Sequence, residues 1–195
     1  MRKVALALGT TVALIGMSAC NQGGATANKT GQTPAAAKMA GDKTIAAGLP
    51  ADGKFMAAAK AAGIDKTLTG PGPYTVLVPD DAAFAKLPAG TLDNVSDPEQ
   101  RAKITAILTY HILPGTVLAA DITKTIDNAK GKAVMMTVGG QTFTAAKDGS
   151  DIVLTDSAGG KARITKADEQ YSNGVVHHVD AVLAPPSPSA EKSAK

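Results

Sequence analysis

The chain has no tryptophan and only six aromatic residues in all, three tyrosines and three phenylalanines. No cluster of basic residues accompanies them, so nothing supplies the cationic face that a nucleic-acid footprint requires. Scarce aromatics also weigh against a small-molecule pocket, since such pockets tend to recruit aromatic walls. There is one cysteine, Cys20, no Gly-x-Ser-x-Gly elbow, and no histidine in a recognisable nucleophile pattern. The signatures of covalent catalysis are therefore missing, and a non-enzyme is the expected class. Carboxylate pairs are not legible in a sequence, because any two of the seventeen acids can meet in space.

What is present begins with a leader. Arg2-Lys3 makes a positive start, Val4 to Gly16 is apolar but too short to span a bilayer as a helix, and Met17-Ser18-Ala19-Cys20 is a small-residue cleavage site. Residues 1–19 thus read as a signal peptide. The site resembles a bacterial lipobox, in which Cys20 takes a diacylglyceryl thioether, becomes the new N-terminus and is usually acylated again. Each buried CH₂ adds roughly 0.8 kcal/mol of membrane affinity, so two or three chains anchor stably. Asn21 differs from the Asp associated with inner-membrane retention, which points to a lipid-anchored protein of the cell envelope, at the outer membrane, periplasm or cell surface. Loss of Arg2 and Lys3 from the 20 basic residues leaves 18 against 17 acidic ones, a nearly neutral mature chain.

Residues 20–42 are Ala, Gly, Thr, Asn, Gln and Lys without apolar periodicity, the composition of a flexible tether. Its r.m.s. reach is roughly 25 Å. Residues 187–195 read as a disordered Ser/Pro/Ala/Lys tail, which leaves 43–186 as one domain.

That domain divides into a helical half and a stranded half. Asp52 is placed to cap a helix with an apolar stripe of Phe55, Met56, Ala59 and Ala62, ended by Gly63. Tyr74 to Val78 is a strand stopped by Pro79, and Asp80 or Asp81 caps a short helix carrying Phe84 and Leu87. Asp97-Pro98-Glu99-Gln100 combines an Asx cap, Pro at N1 and a capping-box partner, and starts a helix with the stripe Ile104, Ile107, Leu108, His111. From Ala133 to Ile164, short alternating runs separated by Gly139-Gly140, Asp148-Gly149 and Gly159-Gly160 predict a β-meander. Asn173-Gly174 is a turn pair. The run after it, as far as Pro185-Pro186, is apolar on both faces and predicts a covered, central strand. Gly48 to Lys54 nearly fits a phosphate-binding loop, but Phe55 stands where Ser or Thr is required, so it reads as a turn before a helix.

Three blocks, TVLVPDDAAFAKLP (Thr75 to Pro88), ITAILTYHILPG (Ile104 to Gly115) and NGVVHHVDAVLAPP (Asn173 to Pro186), resemble in order and spacing those of the fasciclin (FAS1) domain. The resemblance implies an α+β fold, a wedge or sandwich of β-strands with helices packed along one side. It makes Thr75, Pro79, Asp81, Phe84, Asn173, Gly174, His177 and Asp180 structural motif positions. It also implies a secreted or surface-anchored module for adhesion and matrix interaction. Tyr110-His111 corresponds to a Tyr-His pair linked to receptor binding in animal members, which makes these residues the candidate partner-binding site. His111 nevertheless falls on the apolar stripe of its helix, where a structural imidazole is the commoner role. His178 stands where the family usually has an aliphatic residue, and with Asp180 on one strand face it could form a proton-sensitive pair or half a metal site. Two side chains are too few for a tight site, so no metal and no cofactor is expected. The leading function is a membrane-anchored module binding a surface or matrix protein or glycan, with no nucleic-acid partner. The alternative is a periplasmic or surface carrier holding a small molecule in a groove beside the sheet.

Overall fold

The computed structural model describes residues 41–86 and 97–186. The leader, Cys20, the tether up to residue 40, Leu87, Pro88 and the tail from Ser187 lie outside the described residues. Chain order is α1 (Ile45–Gly48), α2 (Lys54–Ala62), α3 (Asp65–Thr69), β1 (Tyr74–Pro79), α4 (Asp81–Phe84), α5 (Pro98–Tyr110), β2 (Ile112–Pro114) and α6 (Ala119–Asn128). Five strands complete it: β3 (Lys132–Met136), β4 (Thr142–Asp148), β5 (Asp151–Thr155), β6 (Lys161–Tyr171) and β7 (Gly174–Val179). The class is α+β.

Seven strands form one mixed sheet in the order β2-β1-β7-β6-β5-β4-β3. The meander β3 to β6 is antiparallel, with turns at the Gly-Gly and Asp-Gly pairs where the backbone needs positive φ. β7 lies in the interior of the sheet, antiparallel to β6 and parallel to β1. Beyond β3, the Val138 N–H donates to the Ile112 carbonyl at 2.7 Å, which brings the two ends of the sheet together and nearly closes it. Alternation then sorts the strands onto two cores. Val76, Val78 and Val176 join the helices α1, α2, α3 and α5 in one cluster, whereas Leu77, Phe143, Leu154, Ala162 and Val179 fill the inside of the curved sheet with Ile122 and Ile126 of α6. Both faces of β7 are covered, which is why its Val-rich run carries no polar face.

Helix boundaries correct two expected caps. α2 starts at Lys54 behind Gly53, one residue later than an Asp52 cap would place it, and the Lys54 N–H is satisfied by Asp81 Oδ1 at 3.0 Å. At α4, Asp80 holds the N-cap position but its side chain makes no cap bond, because it faces Thr165 and His178 instead, while Asp81 is spent on α2. α5 begins as expected: Asp97 Oδ1 accepts the Glu99 N–H at 2.9 Å, with Pro98 in the first turn. The strand expected to run to Pro185 stops at Val179. There the Asp180 N–H turns to the Arg163 carbonyl, and the chain leaves the ladder to bury Leu183.

Candidate functional site

The Tyr110-His111 pair closes α5, and both side chains are fully buried (0% exposed). The Tyr110 hydroxyl donates to the Thr142 carbonyl at 2.9 Å, and its ring meets Phe143 edge-on at 6.1 Å. Burial, helped by the negative charge of Asp156, pushes the phenol up to about 12. His111 Nδ1 lies 2.7 Å from the Ile107 carbonyl, which can only accept, so this nitrogen carries the proton. Its Nε2 accepts the Leu183 N–H at 3.1 Å. The imidazole is thereby held neutral, and burial pushes its pKa down to about 4. Neither ring reaches the surface, so in this conformation the pair offers no contact area to a partner. The hydrogen-bonded structural imidazole suggested by the helical stripe is what the geometry contains.

His177 follows the same pattern. Its Nε2 donates to the Val117 carbonyl at 2.8 Å and its Nδ1 accepts the Asp168 N–H at 3.1 Å, while burial lowers its pKa. Asp168 sits in an irregular part of β6 with φ +61°, and its carboxylate accepts the Ala119 N–H at the start of α6. Thr75 completes this node: its hydroxyl donates to Gly115 and accepts from the Val117 N–H, both at 2.8 Å. Strand β1, strand β7 and the loop into α6 are thus tied by two buried side chains.

Asn173 sews helices to the sheet. Its Oδ1 accepts the Ile45 N–H at 2.8 Å, and its Nδ2 donates to the carbonyls of Leu68 and Gly70. Gly174 admits no side chain, since a Cβ would lie 2.1 Å from the Tyr74 carbonyl oxygen of the paired strand. Pro79 ends β1, and Phe84 is buried in the helical core. Asp180 Oδ1 accepts the Arg163 N–H at 2.7 Å, locking the end of β7 to β6.

The pair that His178 and Asp180 could have formed from one strand face is not made, because Asp180 turns to its neighbouring strand. His178 Nε2 meets Glu169 Oε2 of β6 at 2.9 Å, and its Nδ1 lies 3.5 Å from Asp80 Oδ1. The hydrogen bond from His178 holds the Glu169 carboxyl below its ordinary range. Among the described residues no group of three or more His, Cys, Asp or Glu side chains has the geometry to hold a metal ion. His178 instead forms one wall of a cavity of 340 Å³ between the helices and β1, floored by Leu49, Phe55, Met56 and Val78.

Asp156 escaped the reading of the sequence. Its carboxylate is buried and accepts N–H groups from Ala158, Gly160 and, across the domain, Ala184. An Asp before a Ser-Ala-Gly-Gly turn is a legible Asx signal. The bond to Ala184 is not, because it depends on where the final segment lands.

The surface supplies a different feature. Val134, Met136 and Val138 are the large hydrophobic residues that the described structure exposes, at 66%, 64% and 44%. They alternate with the inward-facing Ala133, Met135 and Thr137, so they form a single row on the outer face of the last strand and its continuation. Register extends this face across the meander: Lys132 stands beside Ala146, Val153 and Arg163, and Val134 beside Thr144, Thr155 and Lys161. The outer sides of β4, β5 and β6 form a trough of 620 Å³ between these rims. Among the described residues no helix is long and apolar enough to cross a membrane.

With this geometry in hand, comparison with known proteins gives consistent matches. Residues 53–185 match the Fasciclin domain family. Protein sll1483 of Synechocystis sp. is 38% identical over 142 residues, covering 73% of this chain and 72% of that protein. The cell surface glycolipoprotein MPB83 of Mycobacterium bovis is 31% identical over 121 residues, covering 62% of this chain and 47% of its own. A FAS1 domain pair from the insect cell adhesion molecule fasciclin I is 27% identical with a TM-score of 0.48, covering 68% of this chain and 45% of that one. The family match takes in more than half of the chain and the hydrogen-bonded nodes from Thr75 to Asp180, and the chain belongs to the fasciclin domain family.

Proposed function

We propose that this protein is a membrane-anchored fasciclin-type module that holds the cell envelope to a protein or glycan outside it. The observation that carries the reading is the row Val134, Met136 and Val138. Three large apolar side chains aligned on one strand face cost solvation free energy in an isolated protein, and such rows mark interaction surfaces. A binding role fits the interior as well. Buried Thr75, His111, Thr137, Asp156, Asn173 and His177 each spend their hydrogen bonds on backbone groups, which suits a scaffold more than a catalytic site. The lipobox at Cys20 and the tether behind it would keep the domain at the membrane surface.

The test is attachment of host cells lacking the protein and complemented with either the native chain or Val134→Ser/Met136→Ser. Attachment should fall to the level of the uncomplemented strain while the melting temperature of the purified chain stays within a degree or two. Undiminished attachment would sink the reading. The carrier alternative rests on the 340 Å³ cavity beside β1, near the lower limit for ligand pockets. Native mass spectrometry of protein from its own host would show a retained small molecule if that alternative holds.

A further inference from the structure

We propose that the trough on the outer face of β3 to β6 is the docking site, and that its occupant is an extended protein segment in which carboxylates alternate with apolar side chains. The inference rests on the binding-module reading and assigns the partner's chemistry.

Charge decides the sign of the partner. Among the described residues Lys132 on one rim and Lys161 on the other make no ion pair, whereas Arg163 is held by Asp148 and Asp151, and Lys147 by Asp127. Two cations on opposite sides of the trough are thus left to meet anions, while the remaining carboxylate of the lining, Asp180, accepts the Arg163 N–H. β3 and β6 are three strand spacings apart, about 14 Å, which leaves room for one peptide chain with its side chains. The floor between them is Ala146, Val153 and the methyl-bearing Thr144 and Thr155, all half-buried and without charge.

Spacing decides the shape. Along β3 and its continuation the outward positions Lys132, Val134, Met136 and Val138 recur every second residue, roughly 7 Å apart. A partner in extended conformation presents its same-face side chains at that interval, whereas a helix presents them every three or four residues; an alternating segment lays its apolar face on the uncharged floor and carries its carboxylates on the other face, where the long rim lysines rise beside it. Composition removes the glycan. Sugar rings are commonly gripped by stacking on an aromatic face, but Phe55, Phe84, Tyr110, Phe143 and Tyr171 are buried and Tyr74 is half-buried on β1, on the far side of β7.

The probe is a blocked seven-residue peptide alternating Glu and Val, titrated into ¹⁵N-labelled full-length chain, with a Lys/Val peptide of the same pattern as control. Shifts should concentrate at the amides of Val134, Thr144, Val153 and Thr155, weaken as salt rises, and require at least tenfold more peptide in Lys132→Glu/Lys161→Glu. Equal binding of the Lys/Val peptide, or no shift at those amides, overturns the proposal. So does co-sedimentation of the Cys20→Ala chain with phosphatidylglycerol vesicles, or a dimer abolished by Met136→Lys, in either case without peptide binding. Cell attachment separates the two levels. If Val134→Ser/Met136→Ser abolishes attachment but Lys132→Glu/Lys161→Glu does not, the acidic partner is wrong and the binding module stands; if neither matters, the module reading itself falls.

Discussion

At the scale of single residues, the buried imidazoles are the most consequential groups, because each is held in one tautomer by one backbone donor and one backbone acceptor. Protonating His111 would place a proton between Nε2 and the Leu183 N–H, so the folded chain resists it. Its folded pKa of about 4 lies below the ordinary 6.5, and between those values the unfolded chain holds the extra proton. The contribution is fully present above pH 6.5 and is lost as the pH falls to about 4, an amount of roughly 3 kcal/mol. His177 acts in the same direction. Acid titration of the thermal melt from pH 7.5 to 4 should therefore show a marked fall. His111→Ala should cost roughly 2 to 4 kcal/mol at pH 7.5, through a cavity and an unsatisfied Leu183 N–H, and should show a shallower fall in acid. An identical acid slope in the variant would refute the assignment.

Elements are set by their ends and by their closest approaches. Asp97 caps the helix that carries Tyr110 into the core, so Asp97→Ala should lower stability by about 0.5 to 2 kcal/mol in urea unfolding. An unchanged midpoint would mean that another group satisfies the first turn. Gly174 illustrates the other constraint. In Gly174→Ala the new methyl carbon would need to occupy space 2.1 Å from the Tyr74 carbonyl oxygen, and the obstacle is backbone that cannot rotate away. β1 and β7 would have to separate where their ladder begins, and a loss above about 4 kcal/mol is expected. A variant with a native melt would mean that the two strands can part at this point without cost.

For the molecule as a whole, the question is where the domain sits. If Cys20 is acylated as proposed, its chains keep the protein in the membrane fraction. Cys20→Ala should leave the domain's melt intact while moving the protein from the membrane fraction to the soluble one, or trapping it as unprocessed precursor. A variant that fractionates and migrates like the native chain would remove the anchor from the account.

What the sequence determined by itself is local. Gly63 ends α2 with φ +73°, Asp97-Pro98 starts α5, and Gly-Gly and Asp-Gly pairs turn the meander, because each is decided by the backbone freedom and hydrogen bonds of a few adjacent residues. The interior position of β7 was also legible, since a strand apolar on both faces must be covered on both. Tertiary structure decided the rest. Helical periodicity placed His111 on an apolar stripe, but only the packing of Phe143 and the landing of Leu183 buried Tyr110 with it. The partners of His178 come from β6 and from the turn after β1, and the donor that Asp81 satisfies belongs to α2, 27 residues earlier. The outer trough exists only because strands curve and pair in one register. These contacts join residues distant in the chain, and their free energy appears only once the intervening loops have closed and the core has excluded water, which no local pattern of side chains encodes.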